Sequence, residues 1–301
     1  MNDQASSLRK MMKNNNSEVN NDKKNKSNTK DSNSQTKVIA VASGKGGVGK
    51  TNLSVNLAYA LSEMDKSVLV MDADIGMANV DILMGLTSTY SLKHVMEGKC
   101  QIEDAIVNTP SGINVLTGIS GEEDFMNVSS DEVQRLLSAS SHLEQNYDII
   151  IIDIGAGAHS DVLNFIMAAD QTLIVLTPEP TAIMDAYSLL KILSNNNYST
   201  DLGLVVNMVE SDNEGDEVIE RMENVINDYL DINLALTSNI PYDKKVVQSV
   251  KKQKSIFQLY PKSSVVNAYK NTAADIIDKD RESSSQNMKN FFSKIVGMFR
   301  K

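Results

Sequence analysis

The stretch SGKGGVGKTN (residues 43–52) decides the fold of the whole chain. Residues 44–51 match the pattern G-x-x-x-x-G-K-[ST], between an apolar run at 37–43 and another at 51–64. A glycine loop between a strand and a helix is the arrangement whose backbone N–H groups surround phosphate oxygens. We therefore predict a phosphate loop, in which Lys50 reaches the β- and γ-phosphates and Thr51 holds Mg²⁺.

Outside this loop, the chain alternates apolar runs with segments of helical pattern. The runs are rich in Val, Ile and Leu without polar alternation, which is typical of strands covered on both faces. Such an order predicts an α/β fold with a doubly wound, mostly parallel sheet and helices on both faces. Ligands then bind at the carboxyl ends of the strands. The predicted strands are residues 37–43, 67–72, 113–118, 148–153, 171–177 and 202–209.

Composition excludes several kinds of protein. The chain has one cysteine, Cys100, which rules out a disulfide framework or a four-cysteine cluster within one chain. Its polar N-terminus and lack of a long apolar run indicate a cytoplasmic protein without a secretory signal. Residues 38–280 carry 16 basic and 34 acidic residues. Because such an acidic body repels DNA phosphates, we expect no nucleic-acid partner.

A second lysine in the loop, Lys45, gives the chain a family resemblance. Residues 45–51 match K-G-G-x-x-G-K-[ST], and the chain resembles the MinD/ParA family of deviant Walker A ATPases. The resemblance implies ATP hydrolysis with Mg²⁺, and an ATP-dependent homodimer in which Lys45 reaches the phosphates of the other subunit. Such a lysine stabilises phosphate charge only when two subunits meet. The expected nucleotide-binding residues of the loop are Gly44, Lys45, Gly46, Gly47, Val48, Gly49, Lys50, Thr51 and Asn52.

The same resemblance assigns two aspartates to the reaction. Asp74 follows the second strand and matches the residue near the attacking water and Mg²⁺, and Asn79 is a candidate partner on the water side. Asp153 ends the run DIIIID (148–153), the Walker B position, where it would hold Mg²⁺ through water. The resemblance therefore implies that catalysis uses Lys45, Lys50 and Asp74, and that Thr51, Asp74 and Asp153 form the metal site.

Contacts to the adenine base are suggested by two later segments. Asn207 lies near the end of a predicted strand, and Pro241 and Asp243 belong to IPYD (240–243). In the family, an asparagine and a proline-containing loop at such positions flank the base. Ordinary turn chemistry explains the same residues equally well, so both interpretations stay open here.

The C-terminal segment NMKNFFSKIVGMFRK (287–301) has apolar residues at helical spacing. Phe291, Phe292, Ile295 and Phe299 fall on one stripe, with lysines and arginine available for the other side. This pattern suits the plane of an anionic membrane surface and resembles the membrane-targeting helix of MinD proteins. It implies reversible association with the inner face of the cell membrane. The alternative is a helix that docks on its own body or on a partner.

The N-terminus indicates one branch of the family. DQASSLR (3–9) matches the D-Q-A-x-x-L-R motif of FlhG-type ATPases, which control flagellar number and placement. The resemblance implies that the motif docks on the signal-recognition-type GTPase FlhF and stimulates it, and that a flagellar switch (C-ring) protein is a further partner. Within the motif, the expected working residues are Asp3, Gln4, Leu8 and Arg9.

The predicted organisation has five parts. The motif occupies residues 1–12, and an Asn-, Lys- and Ser-rich linker follows at 13–36, which cannot bury enough apolar surface to order itself. The ATPase domain spans 37–280, a hinge 281–287, and the membrane-targeting helix 288–301. Alternatives are a MinD-type regulator of the division site, a ParA-type DNA-partition ATPase and a non-enzymatic scaffold.

Overall fold

The computed structural model of the chain describes residues 35–74, 79–109, 112–118, 129–230, 232–279 and 288–299. These residues all belong to one structural unit, Ser32–Lys301. The DQASSLR motif, the linker up to residue 34 and the hinge at 281–287 lie outside the described residues. Those three assignments therefore stay predictions.

The sheet of the described residues consists of β1 (Lys37–Ser43), β2 (Val68–Ala73), β3 (Ile106–Asn108), β4 (Asn114–Thr117), β5 (Ile149–Ala156), β6 (Gln171–Leu176), β7 (Asp201–Val209) and β8 (Leu234–Pro241). The strand order is β3-β4-β2-β5-β1-β6-β7-β8. All neighbouring strands are parallel except β3 and β4, which are antiparallel. The strand that leads into the phosphate loop, β1, is thus central.

The described helices are α1 (Lys50–Ser62), α2 (Val80–Met84), α3 (Leu92–Met96), α4 (Ile102–Ala105), α5 (Ser130–Asn146), α6 (Ser160–Ala168), α7 (Pro180–Asn195), α8 (Asp212–Tyr229), α9 (Lys244–Lys251), α10 (Ile256–Leu259), α11 (Ser264–Lys279) and α12 (Met288–Phe299). The apolar core forms two layers, one on each face of the sheet. Helices α1, α10 and α11 contribute to one layer, and α5 to α8 together with α12 contribute to the other.

Strand β1 explains why the apolar runs of the sequence do not alternate. Val38 and Ala40 belong to one core layer, whereas Ile39 and Val41 belong to the other. Successive side chains of a strand point to opposite faces, so a strand between two helix layers needs apolar residues at every position. The predicted doubly wound, mostly parallel α/β fold is confirmed.

Two strands are not among those predicted with bounds. β3 has only three residues, too few to give a pattern. β8 has the sequence LALTSNIP and lies at the sheet edge, where most of its residues are only partly buried. Its polar residues hide the strand in the sequence, because an edge strand does not need the continuous apolar run of a central one.

The C-terminal helix α12 lies against α5 and α6 with its apolar stripe facing the body. A fully buried side chain of this kind contributes about 1.5–3 kcal/mol relative to an exposed one. The stripe predicted for a membrane is therefore covered by the chain itself in this structure. The side chain of Phe299 lies outside the described residues. The stripe residues that are at most 2% exposed are Met288, Phe291, Phe292 and Ile295.

Two further contacts hold α12 on the body. The Phe165 ring on α6 lies 6.4 Å from the Phe291 ring, centroid to centroid. The backbone N–H of Lys289 donates to Glu144 Oε1 on α5 at 3.0 Å, which provides an acceptor at the start of the helix. Among the described helices, none has both the length and the apolar composition that crossing a membrane requires.

Candidate functional site

A cavity of about 660 Å³ opens at the carboxyl ends of the central strands. It lies where a doubly wound sheet is expected to bind ligands. We call it the phosphate-loop cavity. Val48 and Asp153 are buried beside it, and Gly44 and Lys45 do not line it. The predicted site residues that line the cavity are Gly46, Gly47, Gly49, Lys50, Thr51, Asn52, Asp74, Asn207, Pro241 and Asp243.

The loop geometry follows from its glycines. Gly49 has φ +94° and directly precedes α1, and a Cβ on it would lie 2.4 Å from Asn207 Nδ2. Only glycine combines that left-handed conformation with so close an approach. Helix α1 therefore begins at Lys50 with its N-terminal N–H groups at the cavity, an arrangement that favours bound phosphate. Lys50 itself is 8% exposed and lines the cavity.

Asp153, on β5, is held by two hydroxyl groups of α1. Thr51 Oγ1 donates to Asp153 Oδ2 at 2.6 Å, and Ser54 Oγ donates to Asp153 Oδ1 at 2.9 Å. The pKa of Asp153 is raised to about 7, mainly by its complete burial. The Thr51 hydrogen bond opposes this shift, whereas Asp72, beside it on β2, contributes to it. The carboxyl group is thus firmly oriented, but its charge is costly unless a cation lies near it.

This donor set fits Mg²⁺. The Thr51 hydroxyl, Asp74 and Asp153 offer oxygen atoms, which are the ligands that Mg²⁺ prefers. No group of three or more His, Cys, Asp or Glu side chains is arranged for a metal ion within the described ranges. Mg²⁺ is usually bound by one or two carboxylates together with phosphate oxygens and water, so a site completed by a nucleotide suits this ion.

Asp74 lines the cavity opposite the loop. Asn79 Nδ2 donates to Asp74 Oδ2 at 3.1 Å. A Cβ on Gly155, just after Asp153, would lie 3.1 Å from Asp74 Oδ1, so the glycine permits this close approach. Asp74, which directly follows β2, therefore lies close to Gly155 in β5.

Asp72 has a structural role in this segment. Its carboxylate, 3% exposed, accepts hydrogen bonds from the backbone N–H groups of Asp74, Asn79 and Val80 at 2.8–3.1 Å. These bonds join both ends of the segment 74–80. Burial raises the pKa of Asp72, and the backbone hydrogen bonds partly offset that effect.

The lining of the cavity includes apolar residues of β7, β8, α9 and α11. Asn207 Nδ2 donates to the carbonyl oxygen of Val48 at 2.8 Å, so this side chain also braces the phosphate loop. Asp243 caps α9, accepting from Lys245 N–H at 2.8 Å and from the Ser263 hydroxyl. The apolar lining residues of these four elements include Met208, Ile240, Val246, Val247, Val250 and Val265.

Lys45 forms its contacts outside the cavity. Its Nζ lies 2.8 Å from Glu179 Oε2 and 2.8 Å from Thr181 Oγ1, where β6 leads into α7. The two lysines of the loop therefore separate: Lys50 faces the cavity, and Lys45 faces the start of α7. The sequence did not predict a site role for Ser54, Glu179, Thr181 or the valines of α9. Their pairings join segments distant in sequence, and only the helical pattern of 244–251 was a local signal.

This fold and site define a P-loop nucleotide-binding protein. A family described as "AAA domain" matches residues 36–204. The Antiactivator FleN of Pseudomonas aeruginosa is 38% identical over 79% of this chain and 85% of its own length. The flagellum site-determining protein YlxH of Helicobacter pylori is 32% identical over 98% of this chain and 99% of its own.

Solved structures agree with these relatives. The septum site-determining protein MinD of Pyrococcus horikoshii, complexed with Mg-ADP, aligns with a TM-score of 0.65 and 25% identity. The alignment covers 82% of this chain and 98% of that one. The chain belongs to the FlhG (FleN/YlxH) branch of the MinD/ParA family of deviant Walker A ATPases, and it hydrolyses ATP.

Proposed function

We propose that the chain is an ATP-dependent dimerisation switch that regulates the number and placement of flagella. The flagellar assignment rests on the names of FleN and YlxH, to which the chain is similar over most of its length. ATP closes a homodimer, and hydrolysis to ADP and phosphate returns the monomer. The output is a shift between two populations rather than a chemical product.

The observation that carries this proposal is the position of Lys45. A lysine that served only its own nucleotide would line the phosphate-loop cavity as Lys50 does, but Lys45 does not line it. Its side chain is 36% exposed, so a second subunit has access to it. In the dimer, Lys45 of each chain approaches the phosphates in the other and stabilises their charge.

The remaining site residues have roles that follow from their positions. Lys50 and the other loop residues of 44–52 bind the phosphates of their own chain, except Lys45, which serves the other subunit. Asn207, Pro241 and Asp243 border the base. Thr51, Asp74 and Asp153 hold Mg²⁺, which neutralises charge on the phosphates when bound. Asp74 orients the attacking water, because its carboxylate lines the cavity and is fixed by Asn79. The Mg-ADP complex of the Pyrococcus horikoshii MinD supports this cofactor assignment.

Membrane association belongs to α12. Met288, Phe291, Phe292 and Ile295 are buried on the body, so these side chains reach a membrane only if the helix is released. Two released helices in one dimer bind more strongly than one, because the second attaches from an already tethered state. ATP thus places the protein on the anionic inner face of the cell membrane, and hydrolysis returns it to the cytoplasm.

The N-terminal motif contacts the partners. Asp3, Gln4, Leu8 and Arg9 dock on FlhF and stimulate its GTPase, with residues 13–36 as a tether to the ATPase domain 37–280. A flagellar C-ring protein is the second partner. Segments that order on binding have modest affinity, which suits transient stimulation.

Light scattering of the full chain tests the switch. The molar mass is expected to double with ATP and Mg²⁺ but not with ADP, and co-sedimentation with anionic vesicles should follow the dimer. A chain that stays monomeric with both nucleotides contradicts the proposal.

The N-terminal role has a separate test. A peptide of residues 1–12 is expected to accelerate GTP hydrolysis by FlhF, and Gln4→Ala or Arg9→Ala should weaken the effect relative to a scrambled peptide. If neither the peptide nor the full chain changes FlhF turnover, the assignment of FlhF as a partner is wrong.

A further inference from the structure

Ser54 lies one turn after Thr51 on α1 and is completely buried. Its hydroxyl contacts two acceptors, Asp153 Oδ1 at 2.9 Å and the carbonyl oxygen of Lys50 at 3.2 Å. Serine in a helix often bonds only to the carbonyl group four residues earlier. Here the carboxylate is both the nearer acceptor and the charged one, so it takes the single hydroxyl proton.

The two hydroxyl groups on α1 donate to different oxygens of the Asp153 carboxylate. Thr51 donates to Oδ2 at 2.6 Å and Ser54 donates to Oδ1 at 2.9 Å. Residues three apart on a helix share one face, which is why both groups reach the same side chain of β5. One bond alone would leave the carboxyl group able to rotate, whereas two bonds fix its plane.

Complete burial makes the second bond important. Asp153 is 0% exposed, so water does not replace a missing donor at Oδ1 without a change in packing. A buried carboxylate oxygen without a donor is costly, and the side chain would turn toward whatever donors remain. Such a turn would change the direction of Oδ2, the oxygen that borders Thr51.

We propose that Ser54 is a positioning residue of the magnesium site. It fixes the plane of Asp153, and through that carboxylate it sets the affinity of the ATPase for Mg²⁺. The inference rests on the proposed magnesium site at Thr51, Asp74 and Asp153. Replacing a residue that hydrogen-bonds to a metal ligand, without contacting the metal itself, changes metal affinity by about 10–100-fold.

Calorimetric titration of Mg²⁺ into the full chain saturated with ADP measures the effect. Ser54→Ala is expected to raise the Mg²⁺ dissociation constant by about 10–100-fold. Ser54→Cys keeps the approximate volume but has a weak donor, so it should also weaken Mg²⁺, whereas Ser54→Thr keeps the hydroxyl and should restore it. ADP affinity in EDTA should stay at the wild-type value, because Lys50 and the loop N–H groups remain.

Ser140→Ala is the matched control. Ser140 is also a completely buried helical serine, but its hydroxyl donates only to the Leu137 carbonyl oxygen at 2.7 Å. This variant should leave the Mg²⁺ constant unchanged. In an Asp153→Asn background, Ser54→Ala should add no further loss, since its effect passes through the carboxylate.

Two outcomes overturn the inference. One is a Ser54→Ala variant with the wild-type Mg²⁺ constant, and the other is an equal loss of ADP affinity in EDTA, which would indicate general damage to the loop. If the wild-type chain binds ADP without any effect of Mg²⁺, the proposed magnesium site itself is wrong.

Discussion

Lys45 Nζ lies 2.8 Å from Glu179 Oε2, so the lysine that distinguishes this phosphate loop forms an ion pair within its own chain. Thr181 Oγ1 accepts a second hydrogen bond from the same amino group at 2.8 Å. A lysine that serves another subunit must first leave these partners. The ion pair therefore competes with dimerisation. Its free energy sets the upper limit of its effect on the dimer.

Replacing Glu179 is expected to favour the dimer. The two side chains are 36% and 66% exposed, so the pair contributes at most about 1 kcal/mol. Glu179→Gln should thus lower the ATP concentration at half-maximal dimerisation by no more than about fivefold. Light scattering across an ATP series measures it.

The control for Glu179 is a similar ion pair elsewhere. Lys270 Nζ lies 2.7 Å from Glu63 Oε2, with side chains 40% and 50% exposed. Glu63→Gln removes one negative charge without touching Lys45, so it should leave dimerisation unchanged. If both variants shift the ATP midpoint equally, overall charge and not the Lys45 pair is responsible.

The two loop lysines should separate binding from dimerisation. Lys45→Ala is expected to keep ADP binding and lose the ATP-dependent dimer, because its amino group does not line the cavity. Lys50→Ala should weaken ADP by at least about tenfold, since hydrogen bonds to charged groups contribute about 1.5–3 kcal/mol. Fluorescence titration and light scattering measure the two effects. A Lys45→Ala dimer as abundant as wild type contradicts the role of this lysine in trans.

Asp74→Ala is expected to slow hydrolysis while ATP still binds. A positioned acid–base group contributes about 10²–10⁴-fold, so the turnover of ATP should fall within that range. The dimer should then persist after ATP is added. Asp81→Ala is the control, because that carboxylate lies nearby in the chain, on α2, but accepts a hydrogen bond from the Ile82 N–H of its own helix. Wild-type turnover in Asp74→Ala would mean that another group orients the water.

The sequence predicted the parts of the site that depend on local order. The loop, Thr51 and Asp153 within β5 are each marked by residues next to them in the chain, and the structure brings them together. Ser54 and Glu179 were not predicted because their partners are distant, at separations of 99 and 134 residues. A helical serine and an exposed glutamate have ordinary explanations until the fold places Asp153 and Lys45 beside them.

The fold was predictable for a similar reason, and the same reason explains which strands were not predicted. Central strands such as β1 need apolar residues on both faces, which leaves a continuous run in the sequence. The edge strands β3 and β8 lack that requirement. The tail shows a different limit: an apolar stripe predicts that α12 is covered, but it fits a membrane and the α5–α6 surface equally well.

The pH dependence of stability should report Asp153. Its pKa is raised, mainly by burial, to about 7, from 3.8 for an ordinary aspartate. Between these values the folded chain binds more protons than the unfolded chain, so the free energy of unfolding falls as the pH rises through this window. The effect is at most about 4 kcal/mol, at about 1.4 kcal/mol per pKa unit.

Thermal unfolding in EDTA without nucleotide measures this effect. Asp153→Asn removes the titration, so its melting temperature should fall less than that of wild type between about pH 5 and about pH 8. Asp212→Asn, at an exposed position, is the control for the loss of one charge. Equal slopes for wild type and Asp153→Asn would show that this carboxyl group titrates as an exposed one does.

Docking of α12 on the body should limit membrane binding. Phe292→Glu would remove an apolar residue needed both for docking and for a membrane, so its effect on vesicles does not separate the two. A substitution in the surface on which α12 docks separates docking from membrane binding. Phe165, whose ring lies 6.4 Å from that of Phe291, belongs to α6 and not to the tail. Phe165→Leu should weaken docking and leave α12 intact. Co-sedimentation of the ADP-bound chain with anionic vesicles should therefore increase, while ATP-bound chains change little. Phe257→Leu, a buried phenylalanine of the opposite core layer, controls for general loss of stability. If Phe165→Leu and Phe257→Leu raise vesicle binding equally, partial unfolding and not release of the tail is the cause.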